Sequence, residues 1–266
     1  MFSPVIFCLL IAYSFGSYVV EIDSDGTIDL TQDNGQHFFV IKDLGKSMNS
    51  SDDLIRFGRI FGNIDKVISG TPPYLQGKVV HSPGFEDGSD HCMFNVDPTE
   101  YYTRIVKEPG EILSFGEGWH ADLTYLKEPP AYSIIRAVEL PGGKSRTMFK
   151  DMQQVLNDYP RKESLLGLMA NHSDNFNTSS IHPVVNRGML YVNRAFTRNI
   201  IGKDDNGKLL NELLDFIDNH KESETVVEWT EDDIVMWDNR FVYHSAIYDY
   251  PRDKRREIER VVVNAI

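Results

Sequence analysis

Apolar positions along the chain first gather in runs of strand length and then switch to helical spacing. "HFFVIKDL" (37–44) reads as an apolar strand. "SDDLIRFGRIFG" (51–62) predicts a short helix capped at Ser51 or Asp52, with Leu54, Ile55, Phe57, Ile60 and Phe61 facing inward. From 71 to 97 Gly, Pro, Asp and Ser predominate, which predicts long irregular loops of the kind that line sites. "AYSIIRAVEL" (131–140) predicts a strand ending at the Pro141-Gly142-Gly143 turn. In "DMQQVLNDYP" (151–160) Asp151 and Gln154 have a capping spacing and Pro160 is a stop, so a helix is expected between them. "GMLYVNRAF" (188–196) is strand-like. "NGKLLNELLDFIDNH" (206–220) places Leu209, Leu210, Leu213, Leu214, Phe216 and Ile217 on one helical face. Four short strands, "TVVEW", "DIVMWDN", "VYHSAI" and "ERVVVNAI", follow.

Many short strands with a few helices predict a mainly β fold, a β-sandwich or jelly-roll barrel covered on one side by helices. No repeat, low-complexity tract or Pro/Ser linker divides the chain, and 266 residues are enough for one full core, so 18–266 is expected to be a single domain. Residues 2–20 carry no charge, and the apolar run 5–12 is followed by the small residues Ser14, Gly16 and Ser17. That order predicts a signal peptide over 1–17, a secretory or secreted protein, and no stable membrane span after its removal. The alternative is a buried first strand continuing through 18–22 in a cytoplasmic protein. Sequons at Asn49, Asn171 and Asn177 fit the secretory route. Two cysteines, Cys8 and Cys92, are too few for a disulfide scaffold.

The balance of 41% hydrophobic and 25% charged residues belongs to a globular chain rather than a disordered one. A net charge of −13 argues against nucleic acid or an anionic membrane surface as the main partner. A small anionic substrate stays open, because a local Lys/Arg cluster can outweigh the global field.

"FGEGWHADLTY" (115–125) places His120 and Asp122 two apart. On a strand such residues point to one face, so the pair could bind one ion. A non-haem Fe(II) site needs a second imidazole and leaves positions open for a bidentate cosubstrate and O2. His244, in "WDNRFVYHSAIYDY", is the best candidate; His172, His182 and His220 read as structural. A cation is needed to hold the distal carboxylate of a diacid cosubstrate, and "PRDKRREIER" (251–260) supplies Arg255, Arg256 and Arg260.

With these residues in view, the chain resembles the taurine dioxygenase (TauD/TfdA) family of Fe(II)- and 2-oxoglutarate-dependent dioxygenases. "WHADLTYLKEPP" is similar to the family's W-H-x-D-x-[ST]-[FY] block. "ELPGGKSRTMF" is similar to its E-[LV]-P-x-x-G-G-x-T turn with a short insertion, and "LYVNRAFTRNIIG" and the His244–Arg260 segment complete the set in the family's order. The resemblance runs from about residue 36 to the C-terminus. It implies a double-stranded β-helix (jelly-roll) core and metal ligation by His120, Asp122 and His244. It also implies that Thr147 and Arg256, rather than Arg255, bind the distal carboxylate of 2-oxoglutarate. Arg260 matches an arginine that contacts the substrate anion in the taurine enzyme, and Phe196 an aromatic that packs on the substrate. The sequence departs from the family where a His-Pro pair is usual: only His81 or His91 is on offer, and Gly116 and Glu117 replace the Asn-rich approach to the metal block.

The implied reaction is hydroxylation of a small organic substrate with release of succinate and CO2. Desaturation or cyclisation in a natural-product pathway with the same cofactors is an alternative, as are an inactive secreted binding module and a zinc hydrolase. A homo-oligomer is compatible with all of these.

Overall fold

Period-two stretches become strands and period-3.6 stretches become helices in the computed structural model. It describes residues 37–64, 101–110, 116, 118–174, 178–203, 206–251 and 253–264, with the backbone of four short strands before residue 100. The chain runs β1 (Cys8–Tyr13), β2 (Gly16–Glu21), β3 (Phe38–Ile41), α1 (Ser51–Gly58), β4 (Val79–His81), β5 (Met93–Asn95), β6 (Thr103–Lys107) and β7 (Tyr132–Glu139). It continues with β8 (Lys144–Asp151), α2 (Met152–Asp158), β9 (Met169–Ser173), β10 (Ser179–Pro183), β11 (Val185–Asn186), β12 (Met189–Leu190) and β13 (Thr197–Ile200). The last elements are α3 (Lys208–Asn219), β14 (Glu224–Thr230), β15 (Ile234–Asp238), β16 (Val242–Ile247) and β17 (Arg256–Val263). Cys92, His91, Glu117, Asn177 and most of the loop region 71–97 lie outside the described residues, as does most of the expected leader; within 1–21 only the β1–β2 hairpin backbone is described.

Two antiparallel sheets make the core. The larger has the order β3-β15-β7-β17-β6-β5-β4, and the smaller has β14-β8-β16. Their facing sides bury Ile135, Trp237 and Ile258 against Phe149, Trp229 and Val242. Opposite parity on the larger sheet, at Ile134, Met236, Val261 and Val263, packs against Leu54, Ile55 and Phe57 of α1. The smaller sheet's outer face carries Tyr243, which is buried in one cluster with Met152 and Val155 of α2 and Leu210, Leu213 and Ile217 of α3. This is the expected mainly β, jelly-roll arrangement, with one difference: helices cover both outer faces, because each sheet has its own apolar outer side to bury.

Local differences have local causes. The first helix starts after Ser50, whose backbone N–H donates to Asp53, and it stops at Gly58, so Ile60 is left exposed rather than packed. At Gly58 a Cβ would come within 2.8 Å of Ile64 Cδ1 and 3.1 Å of Val261 Cγ2 on β17, so glycine lets α1 pack there without those side chains shifting. The strand expected over 188–196 is cut to Met189–Leu190, because the chain turns at 194–196 with Asn193 accepting from the Phe196 amide. Asp151 caps α2 as the spacing requires, accepting from the amides of Gln153 and Gln154.

Candidate metal centre

Strand alternation sets which side chains enter the space between the sheets. Inward parity on β7, β8, β15, β16 and β17 is marked by Ile135, Phe149, Trp237, Val242 and Ile258. Even steps along the same strands place Ser133, Thr147, His244, Arg256 and Arg260 on that inner side. The interior of the sandwich therefore holds polar residues that a stability argument alone would keep out.

His120, Asp122 and His244 converge there, with one potential ligand atom from each within 4.8 Å of the others, and all three are buried. They do not get there as the sequence suggested. Of the His120 and Asp122 pair only His120 is strand-like: it forms an isolated antiparallel bridge with His244 of β16, whose amide donates to the His120 carbonyl at 2.9 Å. Asp122 opens a turn in which Leu123 adopts a left-handed φ of 53° and Leu126 N–H closes onto the Leu123 carbonyl. The carboxylate reaches the histidines from this turn, not from a shared strand face.

Each ligand candidate is held in place. Gly118, at φ 82°, turns its carbonyl to within 2.8 Å of His120 Nδ1, which fixes the proton there and leaves Nε2 for an ion. Ser133 donates to Asp122 Oδ2 at 2.6 Å, and Arg260 donates to Oδ1 at 2.5 Å. The Asn239 side chain accepts from the Asp122 amide at 3.1 Å and from Trp237 Nε1 at 3.0 Å, and donates to Ser133 Oγ at 2.9 Å. The Trp237 ring lies 4.5 Å from that of His244. Sequence reasoning missed Ser133, Asn239 and Trp237. The available signal was Ser133 as a lone hydroxyl within the apolar run of β7 and Asn239 directly after a fully buried strand.

The charge states suit a cation. Burial, and then the neighbouring His120, holds His244 down at about 3, and burial lowers His120 as well, so both imidazoles are neutral. Burial pushes the Asp122 carboxyl up, but Arg260, the two imidazoles and Ser133 outweigh it and hold it at about 2. His244 Nε2 is 4.0 Å from Asp122 Oδ2, too far for a hydrogen bond, and its Nδ1 is buried with no partner. Two neutral imidazoles and one carboxylate with an unsatisfied ring form a donor set that fits a divalent ion of the Fe(II) or Zn(II) type.

His120 and His244 open onto a narrow cavity of about 50 Å³, also lined by Thr147, Tyr248, Arg256 and Arg260. Arg256 is only 5% exposed, and among the described residues its side chain makes one long hydrogen bond, 3.4 Å to Ser145 Oγ. Its Nε is buried without a partner, and it pairs with no carboxylate among the described residues. Arg255 points the other way and pairs with Glu108, Glu139 and Glu257. Thr147 is buried and accepts from Trp229 Nε1. Arg260 enters the cavity as its even spacing from Arg256 requires, but its charge is engaged by Asp122. Phe196 stands on the other side of His120, edge-on with ring centres 6.4 Å apart, and packs on Tyr125. His172 is held by Thr124, His182 by the Leu126 carbonyl and His220 by Asp158 and Ser223, in keeping with their structural reading.

Comparison with known proteins agrees with this geometry. The alpha-ketoglutarate-dependent sulfonate dioxygenase of Saccharomyces cerevisiae is 27% identical over 200 residues, covering 66% of this chain and 48% of that protein. This chain thus spans about half the length of that relative. Pentalenolactone F synthase of Streptomyces avermitilis is 24% identical over 293 aligned residues, covering 91% of this chain and 89% of that one. A taurine dioxygenase from Burkholderia xenovorans has the same fold, with a TM-score of 0.55 at 24% identity over 71% of this chain and 69% of its own. Residues 18–262 match the Taurine catabolism dioxygenase TauD, TfdA family, and the chain belongs to that family.

Proposed function

We propose that the chain is an Fe(II)- and 2-oxoglutarate-dependent dioxygenase that hydroxylates a small organic substrate and releases succinate and CO2. Iron held by His120, Asp122 and His244 would supply O2 activation coupled to oxidative decarboxylation of 2-oxoglutarate. The protein's part is positional. Arg256 and Thr147 would hold the distal carboxylate of 2-oxoglutarate, Ser133 and Asn239 keep Asp122 ionised and aimed, and Phe196 walls the side of His120 away from the sheets. The observation that carries this reading is Arg256: a buried guanidinium that pairs with no carboxylate among the described residues and faces the same cavity as His120 and His244, where it can take the acid group of a cosubstrate.

Succinate release from 2-oxoglutarate with Fe(II) and ascorbate tests the reading. Sulfonates, carboxylates, amino acids and aryloxy acids are screened on the parent protein and on Arg260→Ala. Succinate no higher than in Asp122→Ala, with every compound and without any, refutes the proposal. A best substrate that is anionic and lost in Arg260→Ala, while succinate release without any substrate persists in that variant, assigns that arginine to the substrate. An unaffected substrate leaves Arg260 as the partner of Asp122. Desaturation or cyclisation in a natural-product pathway is the second reading, with weak support from the 24% identical match to pentalenolactone F synthase. Product masses separate the two, since hydroxylation adds one oxygen and desaturation or oxidative ring closure removes two hydrogens.

A further inference from the structure

A cavity larger than the one at the metal centre lies elsewhere in the molecule. It has a volume of about 370 Å³ and shares no lining residue with the narrow one beside His120. Pro129, Pro130, Met189 and Tyr191 give it an apolar wall, and its inner end is formed by the buried polar side chains of His182 and Asn239. We infer that this cavity, with Lys127 and Arg187 at its mouth, is a second binding site that takes a small organic anion with an apolar body.

Three observations converge on that class of ligand. First, Lys127 and Arg187 have no acidic partner among the described residues, whereas Arg240, on the same lining, is engaged by Asp238 and Tyr132. The rim also carries Glu128, so the two unpaired cations leave one net positive charge in a chain whose total is −13. A local reversal of that kind draws an anion to the spot. Second, Arg187 and Gly188 are the two central residues of the β11–β12 hairpin, at φ 51° and 78°. A turn with both values positive favours Asn-Gly or Gly-Gly, and arginine is strained there. The strain places a guanidinium at the edge of the cavity, where its charge acts on the Tyr191 hydroxyl. Third, the volume suits a compact small molecule, whose body can meet Pro129, Pro130 and Met189 while the cations take its acid group.

The test uses metal-free protein, so it is independent of the dioxygenase reading. Phenyl phosphate and inorganic phosphate are titrated calorimetrically at low salt. Phenyl phosphate should bind more tightly than phosphate, because only it can use the Pro129–Met189 wall. The double variant Lys127→Gln/Arg187→Gly should weaken it by about tenfold or more. Glycine relaxes the hairpin, so this variant keeps its fold, and its melting temperature checks that. Lys127→Glu, at an exposed position away from the hairpin, should also weaken binding. Arg256→Gln should leave it unchanged, because that residue lines the other cavity. Equal binding by the double variant and the parent, no binding by the parent, or a loss caused by Arg256→Gln alone would overturn the assignment.

Discussion

Replacing Arg256 by methionine should have opposite effects on cosubstrate binding and on the stability of the empty protein. Among the described residues this almost fully buried guanidinium has one weak hydrogen bond and the face of the Tyr248 ring, 5.7 Å away, and no carboxylate, so it is a charge removed from water with incomplete compensation. Truncating one partner of a buried ion pair costs about 3–5 kcal/mol, which at 1.4 kcal/mol per tenfold weakens 2-oxoglutarate binding by roughly 10²–10⁴. Without cosubstrate, the same replacement relieves an incompletely compensated charge and fills its space with an apolar chain, so the melting temperature should hold or rise. Arg255→Ala removes three part-exposed ion pairs instead and should lower stability by about 0–1 kcal/mol per pair, with little effect on 2-oxoglutarate. Calorimetric titration of 2-oxoglutarate into Co(II)-loaded protein, alongside thermal melts of the metal-free variants, reads both effects. A normal Kd in Arg256→Met, or a loss in Arg255→Ala instead, would refute the reasoning and move the anion site to the neighbouring arginine.

His120→Ala, Asp122→Ala and His244→Ala should each abolish Co(II) binding and succinate release; normal release in any one would exclude it as a ligand. Ser133→Ala should weaken metal binding by about 10–100-fold while leaving the fold intact, since it removes the hydroxyl that orients Asp122, and competition with a chelator of known affinity measures this. His172 is held down at about 3 by burial, with His182 next in effect, so the unfolded chain takes up a proton near pH 6.5 before the folded one does. Stability is then full above that pH and falls as the pH drops towards 3, by up to about 1.4 kcal/mol per unit for this residue; a urea midpoint that stays flat from about pH 7 to 5 would contradict it. The leader reading predicts that protein recovered from a eukaryotic secretory host begins between Ser14 and Tyr18, and N-terminal sequencing that finds Met1 would rule it out.

The parts of the fold visible in the sequence are those where one face is buried and the other is not. The helix over 206–220 and the strands after it follow their apolar period because burial, at about 1.5–3 kcal/mol for a large side chain, dominates their placement. The turn at Asp122 was hidden because a left-handed leucine has no compositional mark, and the His-x-Asp spacing suits a strand equally well. Arg256 and Arg260 read as a surface basic cluster by composition. Only the parity of β17, with Ile258 between them, shows that they point into the sandwich while Glu257 and Glu259 point out of it towards Arg104 and Arg136. Asn239 acts through hydrogen bonds across more than a hundred residues, to the Asp122 amide and to Ser133, which no local pattern records.

The bridge between His120 and His244 also bears on when the site can exist. Gly118 N–H donates to Ser245 Oγ from a position 127 residues away, and the histidines beside them meet across the same span. Closing so long a loop is a non-local event that comes after local helices and hairpins have formed. The ligand set is therefore completed near the end of folding, and a cation has no preformed cradle in the unfolded chain to speed the search. A metal bound there would act instead as a clasp on the finished barrel: it would slow the opening of the β16 seam and lengthen the lifetime of the native state, while the rate of refolding would stay as it is without metal.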